Sequence, residues 1–88
     1  MVESILVPTV LRFDGLRVTI YPNDHRPAHV HVIGSDCAAV FSLGCPNGPV
    51  ELRENYGFRS GRISKIEAAL TECLGDLCQA WEEVHGIA

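Results

Sequence analysis

The sequence predicts a single α+β domain, in which a small antiparallel sheet of three to four strands packs on one amphipathic C-terminal helix. In residues 7–43, short runs of alternating apolar and polar residues are separated by Gly, Pro, Asn and Asp, which is typical of strands and turns. From residue 60 onward, apolar residues recur at intervals of three and four, which is typical of a helix. A chain of 88 residues, 47% of them hydrophobic, can bury one core but not two. Residues 1–88 are therefore predicted to form one domain.

The first two strands are predicted to form a hairpin. Residues 7–13 have extended character and end at Asp14-Gly15, a dipeptide that strongly favours a tight turn. In residues 16–21 every second residue is apolar, so one face of the sheet is predicted to be buried.

The third and fourth strands follow a loop. Residues 22–28 contain two prolines around Asn-Asp and cannot continue a ladder, because proline lacks a backbone donor and Asn and Asp favour turns. Alternation resumes in residues 29–32, and residues 34–36 predict a turn into a fourth strand at 37–43. Residues 44–59 are rich in Gly, Pro and Asn and predict an irregular loop with a short extended piece at 50–53.

The C-terminal segment predicts one helix that begins at residue 60. Its apolar stripe consists of Ile63, Ile66, Leu70, Cys73 or Leu74, Leu77, Trp81 and Val84. Ser60 or Ser64 can cap the start, and Ser64 with Glu67 has the spacing of a capping box. Trp81 is interpreted as a core anchor. A glycine inside a helix costs about 1 kcal/mol, so a kink or a break at Gly75 is an open alternative.

Charge is distributed unevenly along the chain. Residues 1–66 hold all seven Lys and Arg with six Asp and Glu, whereas residues 67–88 hold five Asp and Glu and no Lys or Arg. The net charge of -4 argues against broad nonspecific nucleic-acid binding. The first part still allows local contact with phosphate, and the acidic helix suits a basic partner protein.

The chain lacks the features of a secreted or membrane protein. It has no charged leader followed by an apolar region, and no apolar run approaches the roughly 18 residues that a membrane span needs. The sequence thus predicts a cytoplasmic protein. No CxxC pair occurs among the four cysteines, so they are predicted to be free thiols in a reducing compartment, with Cys73 and Cys78 as small apolar helix residues. So small a core also favours self-association or a partner protein.

The candidate functional site is the segment from Asn23 to His31. His25, His29 and His31 have the spacing H-x3-H-x-H, and the last two lie one strand period apart. Their imidazoles should therefore project side by side from the open face of the sheet, while the valines between them face the core. Around these three histidines, the candidate catalytic residues are Asp24, Arg53 and Tyr56. The candidate substrate-binding residues are Asn23, Arg26, Arg17, Tyr21 and Arg59.

Three interpretations of this cluster remain open. First, these can be ordinary polar residues on an exposed face, with Asp24 capping its own turn. Second, His25, His29 and His31 can bind a divalent transition metal, because imidazoles at i and i+2 on a strand need only a loop His or Asp as a third ligand. Third, two histidines can act as acid and base on a phosphodiester while arginine stabilises the developing charge, as in metal-independent RNA cleavage.

Residues 51–59 concentrate charged and aromatic side chains just before the helix. In one interpretation they form a solvated loop whose aromatic rings pack on the core. In the other, Arg53 and Tyr56 line the histidine pocket, and Arg59 and Arg62 contact phosphate near the start of the helix.

Several short strings in the chain also resemble a known family. They are Pro8-Thr9-Val10, Arg12-Phe13, Gly15, Ile20-Tyr21 and, above all, the N-D-H-x-P-x-H-x-H string of residues 23–31. Together they resemble a family of small bacterial proteins named domain of unknown function 4160, over a range from about Pro8 to His85. The motif positions that the resemblance carries over are Asn23, Asp24, His25, Pro27, His29 and His31.

The resemblance implies a functional context. Members of this family resemble one half of two-gene toxin-antitoxin modules, which implies a toxin-like or partner-binding role. The leading hypothesis is therefore a toxin-antitoxin-type protein that acts on RNA or a related phosphate substrate through His25, His29 and His31, with a cognate partner protein covering the open sheet. The alternative is a non-enzymatic module that binds a partner or a metal through the same face.

Overall fold

A computed structural model describes residues 9–86 of the chain. The elements in order are β1 (Thr9–Phe13), β2 (Leu16–Thr19), β3 (His29–Ile33), β4 (Ala38–Ser42), β5 (Glu51–Tyr56), α1 (Ser60–Glu72) and α2 (Leu74–His85). The strands form one sheet in chain order, and each pairs antiparallel with the next. The α+β class is confirmed, with five strands instead of three to four and two helices instead of one. Within residues 9–86, no helix combines the length and the apolar character needed to cross a membrane.

The predicted hairpin turn joins β1 to β2. Asp14 and Gly15 have φ values of 52° and 75°, and Phe13 pairs with Leu16 across the turn. Both turn residues are therefore left-handed, as a two-residue hairpin of this type requires. The predicted residues 7 and 8 of the first strand lie outside the described part of the chain.

Alternation along β3 separates the two faces of the sheet as predicted, whereas in β2 Thr19 is fully buried on the face opposite to Val18. Val30 and Val32 are fully buried and belong to the same core cluster as the buried residues of both helices, whereas His29 and His31 are half-buried on the other face. The buried helix residues are Ile63, Ile66, Leu70, Leu77 and Trp81. The helices thus cover the valine face. The histidines lie on the opposite face, called the open face here, which is exposed at Arg17 and is contacted by Trp81 of α2 at His29.

The segment predicted as an irregular loop contains a fifth strand. The extended piece expected at 50–53 is β5, which continues to residue 56 and pairs with β4 along its length. All six of its residues are exposed, because β5 lies at the edge of the sheet. Arg53 occupies a bulge, since Val40 pairs with Glu54 and the next residue, Phe41, pairs with Leu52. An exposed edge strand needs no apolar alternation, which is why the sequence pattern did not predict its full length.

The C-terminal helix is interrupted near the predicted position. The break lies at Cys73, two residues before Gly75, where the backbone leaves helical geometry with φ -107° and ψ 16°. The predicted serine caps are wrong, because Arg59 is the N-cap of α1 without a side-chain capping bond. Ser60 is already the first helical residue and Ser64 lies inside α1.

The prediction of four free thiols is also wrong. Cys45 and Cys78 form a disulfide, whereas Cys37 and Cys73 are free. The bonded cysteines are 33 residues apart in sequence, but the fold places the loop after β4 beside α2, with their Cα atoms 5.8 Å apart.

Candidate functional site

A turn after β2 positions the first residue of the site. The backbone N–H of Asp24 donates to the carbonyl oxygen of Tyr21 at 3.0 Å, and the backbone N–H of Tyr21 donates to Oδ2 of Asp24 at 3.3 Å. This pair of bonds folds the Asp24 side chain back toward the end of β2. Because Thr19 of β2 pairs with His31 of β3, the turn brings the carboxylate beside the histidines.

Asp24, His29 and His31 form a compact three-residue cluster, named here the Asp-His cluster. Asp24 Oδ2 lies 3.1 Å from Nε2 of His31 and 3.3 Å from Nε2 of His29. One potential ligand atom from each residue lies within 4.8 Å of the other two. The three side chains are 12–24% exposed, so the cluster is sheltered yet reachable from solvent.

The hydrogen bond between His29 and Pro27 shows which ring nitrogen of His29 carries a proton. Nδ1 of His29 lies 2.9 Å from the carbonyl oxygen of Pro27, and a carbonyl oxygen can only accept, so Nδ1 carries a proton. In a neutral ring Nε2 then has a lone pair, which faces the carboxylate oxygen of Asp24 at 3.3 Å. Two acceptors at that distance repel each other unless a cation lies between them or His29 carries a second proton.

Aromatic rings pack against the outer sides of the cluster. The Tyr21 ring meets the His31 ring edge-on with centroids 4.5 Å apart, and the Trp81 ring lies 5.3 Å from the His29 ring. Trp81 is 1% exposed and stacks on His85 at 3.8 Å. Its predicted role as a core anchor is confirmed. The apolar pattern of the helix did not predict the contact of Trp81 with His29, because that contact depends on where α2 lies against the sheet.

The remaining loop residues of the motif lie outside the cluster. Asn23 and His25 are exposed, and Arg26 forms a long, exposed ion pair of 3.8 Å with Glu82. Of the three histidines predicted as metal ligands, the structure brings together the two on β3, and Asp24 takes the place expected for His25. Asp24 also closes its own turn, so the capping role and the site role coexist in one carboxylate.

The candidate site residues on β2 and β5 lie at different distances from the Asp-His cluster. Arg17 is exposed on the open face, two residues from Thr19, the pairing partner of His31. Arg53 and Tyr56 lie on β5, which is separated from β3 by β4. Two strand spacings are about 10 Å. The interpretation of a shared pocket required Arg53 and Tyr56 to lie beside the histidines. The described contacts of this chain do not place them there.

Tyr56 is engaged with a neighbour on its own strand. Its hydroxyl donates to Oε1 of Glu54 at 2.8 Å. This hydrogen bond, together with the negative charge of Glu54, raises the pKa of Tyr56 above its usual 10.0. The phenol therefore stays protonated at neutral pH and is unsuited to act as a base.

Arg59 lies apart from the cluster as well. It lines a cavity with Arg62, Lys65 and Cys37, and Cys37 follows the turn from β3 to β4. This is the end of β3 opposite to His29.

Comparison with known proteins gives the family of the chain. A family model described as Domain of unknown function (DUF4160) matches residues 15–82. The chain belongs to this family. The part that matches the DUF4160 model contains the whole Asp-His cluster and Trp81. No curated protein matches the chain, and no solved structure matches it.

Proposed function

We propose that Asp24, His29 and His31 bind a divalent transition metal, and that this metal promotes hydrolysis of phosphodiester bonds in RNA. The observation that carries the proposal is the orientation of His29. Its Nδ1 proton is engaged by the Pro27 carbonyl, which directs the Nε2 lone pair at the Asp24 carboxylate. A hydrogen bond from the second ring nitrogen to a backbone carbonyl is the usual arrangement of a metal-ligating histidine.

Two of the three distances within the cluster are close to those around a tetrahedral ion. Ligand atoms about 2.0–2.2 Å from zinc lie about 3.3–3.5 Å from one another at the tetrahedral angle. Both nitrogen atoms lie close to this separation from Asp24 Oδ2, at 3.1 and 3.3 Å. Two nitrogens and one oxygen suit zinc and its neighbours in the transition series, whereas Mg²⁺ and Ca²⁺ prefer sites made of oxygen alone.

The number of protein ligands supports a catalytic site over a structural one. Structural zinc sites use four protein ligands, whereas catalytic sites use three and leave a position for water or substrate. A metal-bound water loses a proton near neutral pH and becomes a nucleophile, and the same metal polarises a phosphoryl oxygen. In this chain, Asp24, His29 and His31 would hold the ion and Tyr21 and Trp81 would restrict how the rings move.

The cellular role that we propose is that of one half of a toxin-antitoxin-type module. On the face that carries the Asp-His cluster, α2 contacts His29 through Trp81, whereas Arg17 is exposed. A cognate partner protein or a second copy of the chain can cover the exposed part and block access to the site. An RNA substrate places this activity in the cytoplasm. The same face would serve a metal-dependent binding module that has no enzymatic activity, and RNA cleavage assays distinguish the two.

The first prediction concerns zinc binding by protein purified without a histidine tag. Calorimetry and elemental analysis should find about one zinc per chain. Asp24→Asn, His29→Ala and His31→Ala should each weaken zinc binding by more than about 100-fold, since even changes outside the ligand shell cost 10–100-fold. His25→Ala is the matched comparison on the same loop and should keep the affinity of the wild type.

Two results would contradict the metal site. One is a wild-type protein that takes up no zinc, iron, nickel, cobalt or manganese. The other is zinc uptake that survives Asp24→Asn and His31→Ala, which would assign the ion to other groups such as the free thiols of Cys37 and Cys73.

A second candidate function is metal-independent RNA cleavage by histidine acid-base chemistry, as the sequence favoured. The observation in its favour is that one oxygen of Asp24 lies within hydrogen-bond distance of Nε2 in both His29 and His31. A ring with two protons would satisfy this geometry without an ion and could return a proton to a leaving group.

The second prediction separates the two mechanisms. Induced expression of the wild type should slow growth, and His29→Ala and His31→Ala should restore it. RNA cleavage by the purified protein should stop in excess EDTA and return with added zinc. Cleavage that persists in EDTA would establish the acid-base mechanism in place of the metal, and equal growth with all three proteins would remove the toxin role.

A further inference from the structure

A second site lies at the start of α1, away from the Asp-His cluster. It is a cavity of about 500 Å³ whose lining includes Arg59, Arg62 and Lys65. Among the described residues that line this cavity, none is Asp or Glu. Three cations therefore face one concave volume without a carboxylate in it, in a chain whose net charge is -4.

The geometry of α1 explains why the three cations converge. Arg62 and Lys65 are spaced three residues apart on the first turns of the helix and thus lie along one side of it, and Arg59 is the N-cap that precedes them. The Arg62 guanidinium donates to the carbonyl oxygen of Asp14 at 3.1 Å, which fixes the start of α1 against the turn between β1 and β2. Within residues 9–86, no carboxylate forms a salt bridge with any of the three.

The chemistry of this cavity suits a phosphate group. Guanidinium and ammonium groups that share a concave space attract a backbone phosphodiester anion and can donate several charge-assisted hydrogen bonds to its two non-bridging oxygens. The first turn of α1 contains no acidic residue, so the backbone N–H groups there add to the positive field.

Two further arginines connect the cavity with the open face of the sheet. Arg12 and Arg17 pair directly across β1 and β2, next to the turn that Arg62 contacts. Arg17 also pairs with Ile33, two residues along β3 from His31, which is a distance of about 7 Å along the strand. The cations thus extend from the neighbourhood of the Asp-His cluster to the cavity.

We propose that the Arg59-Arg62-Lys65 cavity binds a backbone phosphate of single-stranded RNA while another segment of the same strand lies at the Asp-His cluster. The proposal rests on the function proposed above and adds the means by which the substrate is held. Single-stranded RNA follows basic grooves of this kind through its phosphates, with little dependence on base sequence.

Gly61 provides a sharp test of this site. It lines the cavity, and a Cβ atom added to it would meet nothing within 4 Å. Gly61→Glu therefore introduces a carboxylate among the three cations without steric conflict, and Gly61→Gln introduces the same shape without charge. Both changes replace a helical glycine, which favours the helix by up to about 1 kcal/mol, so the melting temperature should not fall.

The third prediction concerns binding of a short labelled single-stranded RNA, measured by fluorescence anisotropy in EDTA, so that the RNA is not cleaved. Gly61→Glu should weaken RNA binding by tenfold or more, whereas Gly61→Gln should bind like the wild type. For the double variant Arg62→Gln/Lys65→Gln, the plot of log K against log salt should be shallower by about 0.7, since the loss of one phosphate contact removes about 0.7 on a single strand. All three variants should keep the zinc affinity of the wild type.

The zinc measurement separates this proposal from the function on which it rests. Normal zinc binding together with equal RNA affinity of Gly61→Glu and Gly61→Gln would overturn the cavity assignment and leave the metal site standing. Complete displacement of the RNA by inorganic phosphate at the same phosphate concentration would also overturn it, because the cavity would then recognise a free anion and not a strand. A chain that binds RNA through the cavity but takes up no metal would instead overturn the proposed metal site.

Discussion

Replacing Trp81 with alanine is expected to lower the free energy of unfolding by about 3–5 kcal/mol. Trp81 is 1% exposed and belongs to the group of largest fully buried side chains. It stacks on His85 and lies against His29, so its removal would leave a cavity between α2 and the site. Small domains have a total stability of about 5–15 kcal/mol, so this single change should remove a large share of it. Urea unfolding followed by circular dichroism measures the effect.

Two variants on the same helix and one binding measurement give this prediction its controls. Val84→Ala removes a half-buried side chain from α2 and should cost about 1 kcal/mol or less. Trp81→Phe keeps an aromatic ring and removes an indole N–H that has no hydrogen-bond partner among residues 9–86, so it should cost less than alanine. The zinc affinity should fall with Trp81→Ala by about 10–100-fold, as for other supports of a ligand. If Trp81→Ala costs no more than Val84→Ala, then Trp81 does not anchor α2.

The sequence was sufficient to predict the middle of the sheet. In β2 and β3 one face is buried, so selection for a core leaves apolar residues at every second position. That pattern predicted both the strands and the direction of the side chains at positions 29 and 31. The Asp14-Gly15 turn was predictable for a different reason, because few residue pairs tolerate two consecutive left-handed conformations.

The sequence did not predict elements in which burial does not determine the order of apolar and polar residues. The strand β5 is held by backbone hydrogen bonds to β4 and exposes all six of its side chains. Its residues therefore do not alternate between apolar and polar. The exact position of the break in the C-terminal helix was also not predictable from the apolar pattern. The apolar stripe continues through Cys73, and the most flexible residue nearby, Gly75, lies two positions after the actual break.

The composition of the site was predictable in part. Strand periodicity directs His29 and His31 to one face, but it says nothing about a loop, where consecutive side chains follow no fixed period. Asp24 and His25 are adjacent, and the bonds between Asp24 and the backbone of Tyr21 decide that the carboxylate, and not the neighbouring imidazole, meets the two rings. A short polar residue that closes a turn next to a strand could have indicated this, because its side chain must point back along the chain.

The disulfide between Cys45 and Cys78 joins two segments that no sequence pattern relates. Opening it by Cys78→Ser is expected to lower stability by about 3–4 kcal/mol, the chain-entropy estimate for a loop of this length. The bonded residues are 33 positions apart, so the bond closes a large loop that includes β5 and α1. In a domain of this size each kcal/mol shifts the melting temperature by about 4–8 °C, so Cys78→Ser should melt at least 10 °C below the wild type. Differential scanning calorimetry measures this shift.

Cys73→Ser is the matched control, since Cys73 is a free, half-buried cysteine at the break between the helices. It should melt within a few degrees of the wild type, and dithiothreitol should lower the melting temperature of both to that of Cys78→Ser. Alkylation with mass spectrometry should count two reactive thiols in the denatured wild-type protein and four after reduction. Four thiols without reductant would contradict the bond.

The disulfide also affects the Asp-His cluster, and it provides a test of the predicted cellular compartment. Cys78 lies one helical turn before Trp81, so the bond that attaches α2 to the loop after β4 also holds the indole against His29. Zinc affinity should therefore fall when the bond is reduced, although neither sulfur contacts the ion. Reducing compartments keep most protein thiols free, so alkylation of protein trapped in intact cells tests the cytoplasmic prediction as well. Two reactive thiols in cells would show that the bond persists, and four would agree with the cytoplasmic prediction.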